Sequence, residues 1–209
     1  TPVWNNEGYL NITKTLMKST FLSIVITLTV VTLVAAVSLG YVFEWTQAPI
    51  AKAQLAKQLK AIETVVPGYD NNPVAEMYRL PTPDGRDTLD FFPAKKGNDL
   101  IGVAVKTKSS KGYSGNIWLM VGFNTKGDVL NIFVIEHQET PGLGSKMNTP
   151  KFLNQFLGRN PGELRLKVKK DGGDIDGITG ATISSRAFSE AVQTAYETYK
   201  PSGHHGSAH

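Results

Sequence analysis

Apolar positions along the chain follow different rules in different stretches. From Ser19 to Phe43 they are nearly continuous: STFLSIVITLTVVTLVAAVSLGYVF contains no charged residue. At about 1.5 Å per residue this stretch makes roughly 37 Å of helix, enough to cross a hydrocarbon core of about 30 Å with some tilt. From about Ala48 to Val66 the period is helical. Ile50, Leu55, Leu59, Ile62 and Val66 recur among Lys and Gln, predicting an amphipathic helix stopped by Pro67-Gly68. Residues 69–98 are rich in Pro, Asp, Asn and Gly, with short strand candidates at Met77–Leu80 and Leu89–Phe92. Three strong strands are predicted next, at Leu100–Thr107, Gly115–Phe123 and Val129–Glu136, with Thr125-Lys126-Gly127-Asp128 as the turn between the last two. A short helix near Pro150–Leu157 and a strand at Leu164–Lys169 follow. The final helix runs to about Tyr199. It places Ala187, Phe188, Ala191, Ala195 and Tyr199 along one side, a stripe suited to core packing rather than to a cofactor surface. No internal repeat is visible. The whole reads as an α+β fold: one N-terminal transmembrane helix, then a domain with a largely antiparallel sheet and packed helices.

The expected boundaries are a cytoplasmic N-terminal segment at 1–18, the transmembrane helix at 19–43, an extracytoplasmic domain at 44–200 and a flexible tail at 201–209. A signal peptide has a shorter apolar region of about 7–15 residues, so an anchor is preferred, with a signal peptide as the alternative. Lys14 and Lys18 before the span and Glu44 after it favour a cytoplasmic N-terminus, although Lys52, Lys57 and Lys60 lie on the far side. Tyr41 and Trp45 suit the far interface. Thr27, Thr29 and Thr32 either contact neighbouring helices or bond back to their own. The chain begins at Thr1, so a few residues are expected to precede it.

Composition narrows the chemistry. With 209 residues, 41% hydrophobic and 19% charged, the chain fits one medium domain plus an appendage, without general disorder. It has no cysteine, which excludes disulfides, thiolate-bound zinc and cysteine-ligated iron–sulfur clusters. Redox chemistry would therefore need a bound organic cofactor. The net charge of +4 is too mild and dispersed to point to nucleic acid. The tail SGHHGSAH is too polar and glycine-rich to fold, and its histidines suit a flexible end better than a metal site.

Two segments carry the candidate chemistry. Asp176-Gly177-Ile178-Thr179-Gly180-Ala181-Thr182 leads into Ile183-Ser184-Ser185-Arg186. Small residues let the backbone approach a ligand, and Thr182 stands where a helix opens. Helix N-termini leave N–H groups unpaired and carry a partial positive charge, so they attract phosphate. With Thr182 as N-cap, the N–H groups of Ser184 and Ser185 face an anion held on its side-chain oxygen. An ordinary N-cap, with Gly177 and Gly180 as turn residues, is the other reading. Upstream, the strand ending in Ile135-Glu136 enters His137-Gln138-Glu139-Thr140-Pro141-Gly142-Leu143-Gly144-Ser145-Lys146. This compact turn frees backbone amides and projects Leu143, which suits a flat ring system. A plain turn with solvated Glu139 and Lys146 is equally compatible with its composition.

His-x-Glu-Thr-Pro-Gly-Leu-Gly, with Asp-Gly-x-Thr-Gly-Ala-Thr about forty residues after His137, resembles the paired signature of the covalent FMN-binding domain family. Gly112-Tyr113-Ser114-Gly115 before a strand is similar to a further family feature. In this order, behind one span, the motifs are most similar to the G subunits of Rnf-type electron-transport complexes. The C subunits of sodium-translocating NADH:quinone reductases are a sister family with a longer soluble domain. The attachment motif shows no departure, Thr179 standing where Ser or Thr is usual.

The resemblance implies that Thr182 is the covalent FMN phosphoryl threonine. Asp176, Gly177, Thr179, Gly180 and Ala181 would form the surrounding loop, with Ser184 and Ser185 at the helix start. Glu139, Thr140, Leu143 and Gly144 would lie near the isoalloxazine ring, and Lys146 and Tyr113 would add contacts. His137 is expected to be structural, and Arg186 either pairs with the phosphate or faces solvent. The resemblance further implies an electron-relay subunit, not catalytic on its own, in a complex that passes electrons between ferredoxin and NAD while sodium ions or protons cross the inner membrane. Its partners would be other membrane and peripheral subunits, membrane lipid and a flavin transferase using FAD, with the flavin on the periplasmic side. Two rivals stand beside this: the quinone-reductase subunit, and a non-redox anchored binding or assembly domain in which Thr182 is only a cap.

Overall fold

The computed structural model describes residues 6–200, with side chains from Thr20 onward. The first five residues and the histidine-containing tail lie outside the described residues. The chain divides into two units, 1–54 and 55–209. Within the first, the described backbone is one helix, the opening part of α1 (Asn6–Val65). Its large apolar side chains are exposed throughout the span, Phe21 at 70% and Leu39 at 72%. This stretch is long and apolar enough to cross a membrane, and that much uncovered hydrocarbon is stable in lipid, not in water. Thr29 and Thr32 donate their hydroxyls to Val25 O (2.8 Å) and Leu28 O (2.9 Å), which keeps them satisfied without a neighbouring helix. The span and the amphipathic helix predicted after it are a single element, because α1 continues through Pro49. Proline removes one helical hydrogen bond, at a cost of about 3 kcal/mol, but the Ala, Gln, Lys and Leu residues that follow are strong helix formers.

The second unit is built on a five-stranded sheet in sequential order. Its strands are β1 (Tyr78–Pro81), β2 (Thr88–Lys96), β3 (Asp99–Ser109), β4 (Ile117–Phe123) and β5 (Val129–Glu136). All neighbours are antiparallel. Alternation along each strand separates two cores. On one face Phe91, Val103, Val105, Leu119, Val121 and Phe123 meet Ala187, Phe188, Ala191, Val192 and Ala195 of α3 (Thr182–Tyr199). On the other, Phe92, Ala94, Ala104 and Met120 meet Ala61, Ile62, Val65 and Val66 at the end of α1. Gly122 permits that contact, since a Cβ there would collide with the backbone carbonyl of Val65. The alanine-rich stripe of α3 is therefore core, as its period predicts.

Beyond β5 the chain is irregular. A 3-10 turn at Gly144–Asn148 and the four-residue helix α2 (Pro150–Leu153), shorter than predicted, bring Phe152 and Phe156 against Phe188, with ring centroids 5.1 and 5.2 Å away. The strand predicted at Leu164–Lys169 does not form. Val168 makes an isolated parallel bridge to Ile175, and a 3-10 turn at Lys169–Asp171 follows. The segment has no ladder to join. The Asp174 carboxylate accepts the Arg165 N–H (2.9 Å), and Ile175 returns to Lys167 O (3.1 Å).

Candidate functional site

The site forms where the start of α3 meets the turn after β5. The N-cap of α3 is Ala181, not Thr182, and no side chain caps the helix. Thr182 is thus the first helical residue, and its hydroxyl is not engaged as a cap. The Ser185 N–H, expected to face an anion, instead donates to Ala181 O at 3.0 Å. The N–H groups left at the helix opening are those of Thr182, Ile183 and Ser184. Ser185 is a fastener: its hydroxyl donates to Ala181 O (2.9 Å) and accepts the Ile178 N–H (2.9 Å), closing the loop ahead of the helix. Gly180 lies in the left-handed region at φ 78°, and a Cβ there would approach Leu143 to 3.1 Å. Only glycine suits both conditions.

Glu139 joins three segments. Though a carboxylate, it is buried, and both oxygens are engaged. Oε1 accepts the Ser114 N–H at 3.1 Å and Oε2 accepts the Ser184 hydroxyl at 2.5 Å. Gly144 and Gly112 give it room, since a Cβ at either would stand 2.6 or 2.8 Å from those oxygens. The solvated Glu139 of the plain-turn reading is thereby ruled out. His137 is tied into the same turn: Nδ1 accepts the Glu139 N–H (3.2 Å) and Nε2 lies 3.2 Å from the Asn148 amide nitrogen.

Between these segments lies a cleft of about 640 Å³, within the usual range for small-molecule sites. It brings together Tyr113, Glu139, Thr140, Leu143, Gly144, Gly180, Ala181, Thr182 and Ser184, all singled out from sequence. Asp176, Gly177, Thr179, Lys146 and Ser185 are not among its lining residues. Asp176 pairs with Lys169 (2.8 Å) and exchanges two backbone hydrogen bonds with the Gln155 side chain. A Cβ at Gly177 would meet Val168 and Ser185 only at ordinary van der Waals distance. Thr179 and Lys146 are exposed. Arg186 is directed to Asp171, through Nε (2.6 Å) and Nη2 (2.7 Å), and holds that carboxyl below its ordinary pKa. Sequence reasoning missed two lining residues, Ile183 and Lys170. Lys170 follows the stretch predicted as a strand, and the turn that delivers it to the cleft has no periodic signature.

The cleft suits a flat, phosphorylated ligand. Tyr113, Leu143 and Ile183, exposed by 70%, 42% and 45%, offer apolar surface for a ring. The helix opening and Lys170 offer donors for an anion. The set of donors, apolar faces and a hydroxyl not engaged as a cap therefore fits FMN.

Residues 112–197 match the FMN-binding domain family. With the apolar helix ahead of it, the fold defines an anchored flavin-binding domain. The chain is 35% identical over 190 residues to the G subunit of the ion-translocating oxidoreductase complex of Shewanella baltica, covering 86% of this chain and 87% of that one. It is 39% identical over 160 residues to the equivalent G subunit from Yersinia pestis, covering 72% and 76%. The crystal structure of Shewanella oneidensis NqrC superposes with a TM-score of 0.42 at 20% identity, over 64% of each chain. The chain belongs to the family of G subunits of ion-translocating oxidoreductase complexes.

Proposed function

We propose that this chain is the electron-relay subunit of such a complex and carries FMN esterified through its phosphate to Thr182. The observation that carries this reading is the placement of Thr182: first residue of α3, hydroxyl not engaged as a cap, on a cleft with free backbone donors and exposed apolar side chains. FMN, when bound, supplies one- and two-electron transfer that no side chain of this cysteine-free protein provides. The protein's part is to hold and orient. Thr182 would hold the phosphate, the Ile183 and Ser184 N–H groups would serve as donors to it, and Leu143, Ile183 and Tyr113 would offer the apolar surface for the ring. Glu139 and Ser185 fix the two loops that carry these groups.

The wider reading is supported by the apolar helix and by the family. Residues 1–18 are cytoplasmic, 19–43 span the inner membrane, and 44–200 form the periplasmic domain. A flavin transferase using FAD attaches the cofactor. The complex passes electrons between ferredoxin and NAD while sodium ions or protons cross the membrane, with its other subunits and lipid as the partners of this chain. Full-length protein co-expressed with the transferase tests the site. After denaturation the wild-type gel band fluoresces as flavin, Thr182→Ala is dark, and Thr179→Ala retains the signal. A fluorescent Thr182→Ala band overturns the assignment.

A further inference from the structure

Among the charges around the 3-10 turn Lys169–Asp171, Lys167 and Lys170 are in no ion pair among the described residues, and of the two only Lys170 lines the cleft. Lys169 is held by Asp176 at 2.8 Å. Asp171, the acid next in sequence to Lys170, has both oxygens occupied by Arg186. Glu139, the acid lining the cleft, has both oxygens occupied by the Ser114 N–H and the Ser184 hydroxyl. Lys170 makes no ion pair among the described residues, and it is the only cation lining the cleft that contains Thr182. An unpaired lysine on open surface would mean little. This one lines the same cleft as the opening of α3, and its neighbour Asp171 is tied to Arg186 of that helix, so a lysine charge and backbone donors serve one cleft.

We propose that Lys170 is the phosphate-recognising cation of the cleft, making the site selective for a phosphorylated flavin over the flavin alone. The proposal rests on the reading of the cleft as an FMN site and adds a residue and a selectivity to it. Lysine serves as a compact charge at the phosphate, while the neighbouring carboxylate of Asp171 has both oxygens bonded by Arg186. Neither function requires the ester to Thr182, so charge recognition can be measured without it.

Full-length Thr182→Ala in detergent is titrated with free FMN and with riboflavin, following flavin fluorescence. FMN binds about tenfold or more tightly than riboflavin, equivalent to about 1.4 kcal/mol. Adding Lys170→Gln brings the two ligands within about twofold by weakening FMN alone, and Lys170→Arg keeps most of the preference. Raising the salt narrows the preference in Thr182→Ala and leaves the Lys170→Gln double variant unmoved. The proposal is overturned if Lys170→Gln leaves the ratio unchanged or weakens both ligands equally. It is likewise overturned if Thr182→Ala shows no preference for FMN or no FMN binding. The ester assignment fails separately, on a fluorescent Thr182→Ala band, and that result leaves this titration readable.

Discussion

A buried carboxylate is costly unless its oxygens are bonded, and Glu139 meets that condition through Ser114 on one side and Ser184 on the other. Its partners stand 25 and 45 positions away along the chain. For that reason the sequence pointed to Glu139 as a ring contact but left its burial illegible. Thr182 shows a similar limit. Its place at a helix opening was legible from composition, while the difference between N-cap and first helical residue depends on the backbone angles of Ala181. Glu139→Gln keeps the shape but presents an NH2 group to one of two donors. We expect it to lower unfolding stability by about 1–3 kcal/mol and to reduce the flavin fluorescence of the denatured band. Chemical denaturation of the full chain in detergent checks the first effect and in-gel fluorescence the second. An unchanged midpoint with full fluorescence would mean that the carboxylate does not hold the site together.

Elements with a strong period were readable and those held by side-chain bonds were not. The five strands and the extent of α3 follow from alternation and from the buried stripe at Ala187, Phe188, Ala191 and Ala195. Segment 164–169 misled because its hydrophobic alternation finds no neighbouring strand; it is secured by Asp174 and by the turn that presents Lys170. The last turn of α3 is secured by Tyr199, whose ring stacks on Phe123 at 5.2 Å and whose hydroxyl donates to Asn124 O at 3.0 Å. Burial pushes the Tyr199 pKa up to about 12. Because the folded value lies above the unfolded one, near 10, its contribution is complete below about pH 10 and is lost as the pH rises towards 12. Tyr69 and Tyr78 shift in the same direction, both chiefly by burial. Unfolding stability should therefore fall across this alkaline window, and Tyr199→Phe should make the fall shallower. An identical pH slope in the variant would contradict the assignment.

For the molecule as a whole, the proposed ester to Thr182 would keep the flavin on the chain through every redox state. Retention would then not depend on noncovalent affinity, and dissociation would drop out of the cycle. Anchoring by the apolar part of α1 then keeps the carrier at the membrane where a multi-subunit complex works. The most direct measurement is peptide mass spectrometry of the wild-type chain matured beside its flavin transferase. The account predicts the peptide containing Thr182 heavier by one FMN less one water, with fragmentation placing the addition on that threonine. An unmodified Thr182 peptide, or the flavin on any other residue, would contradict it.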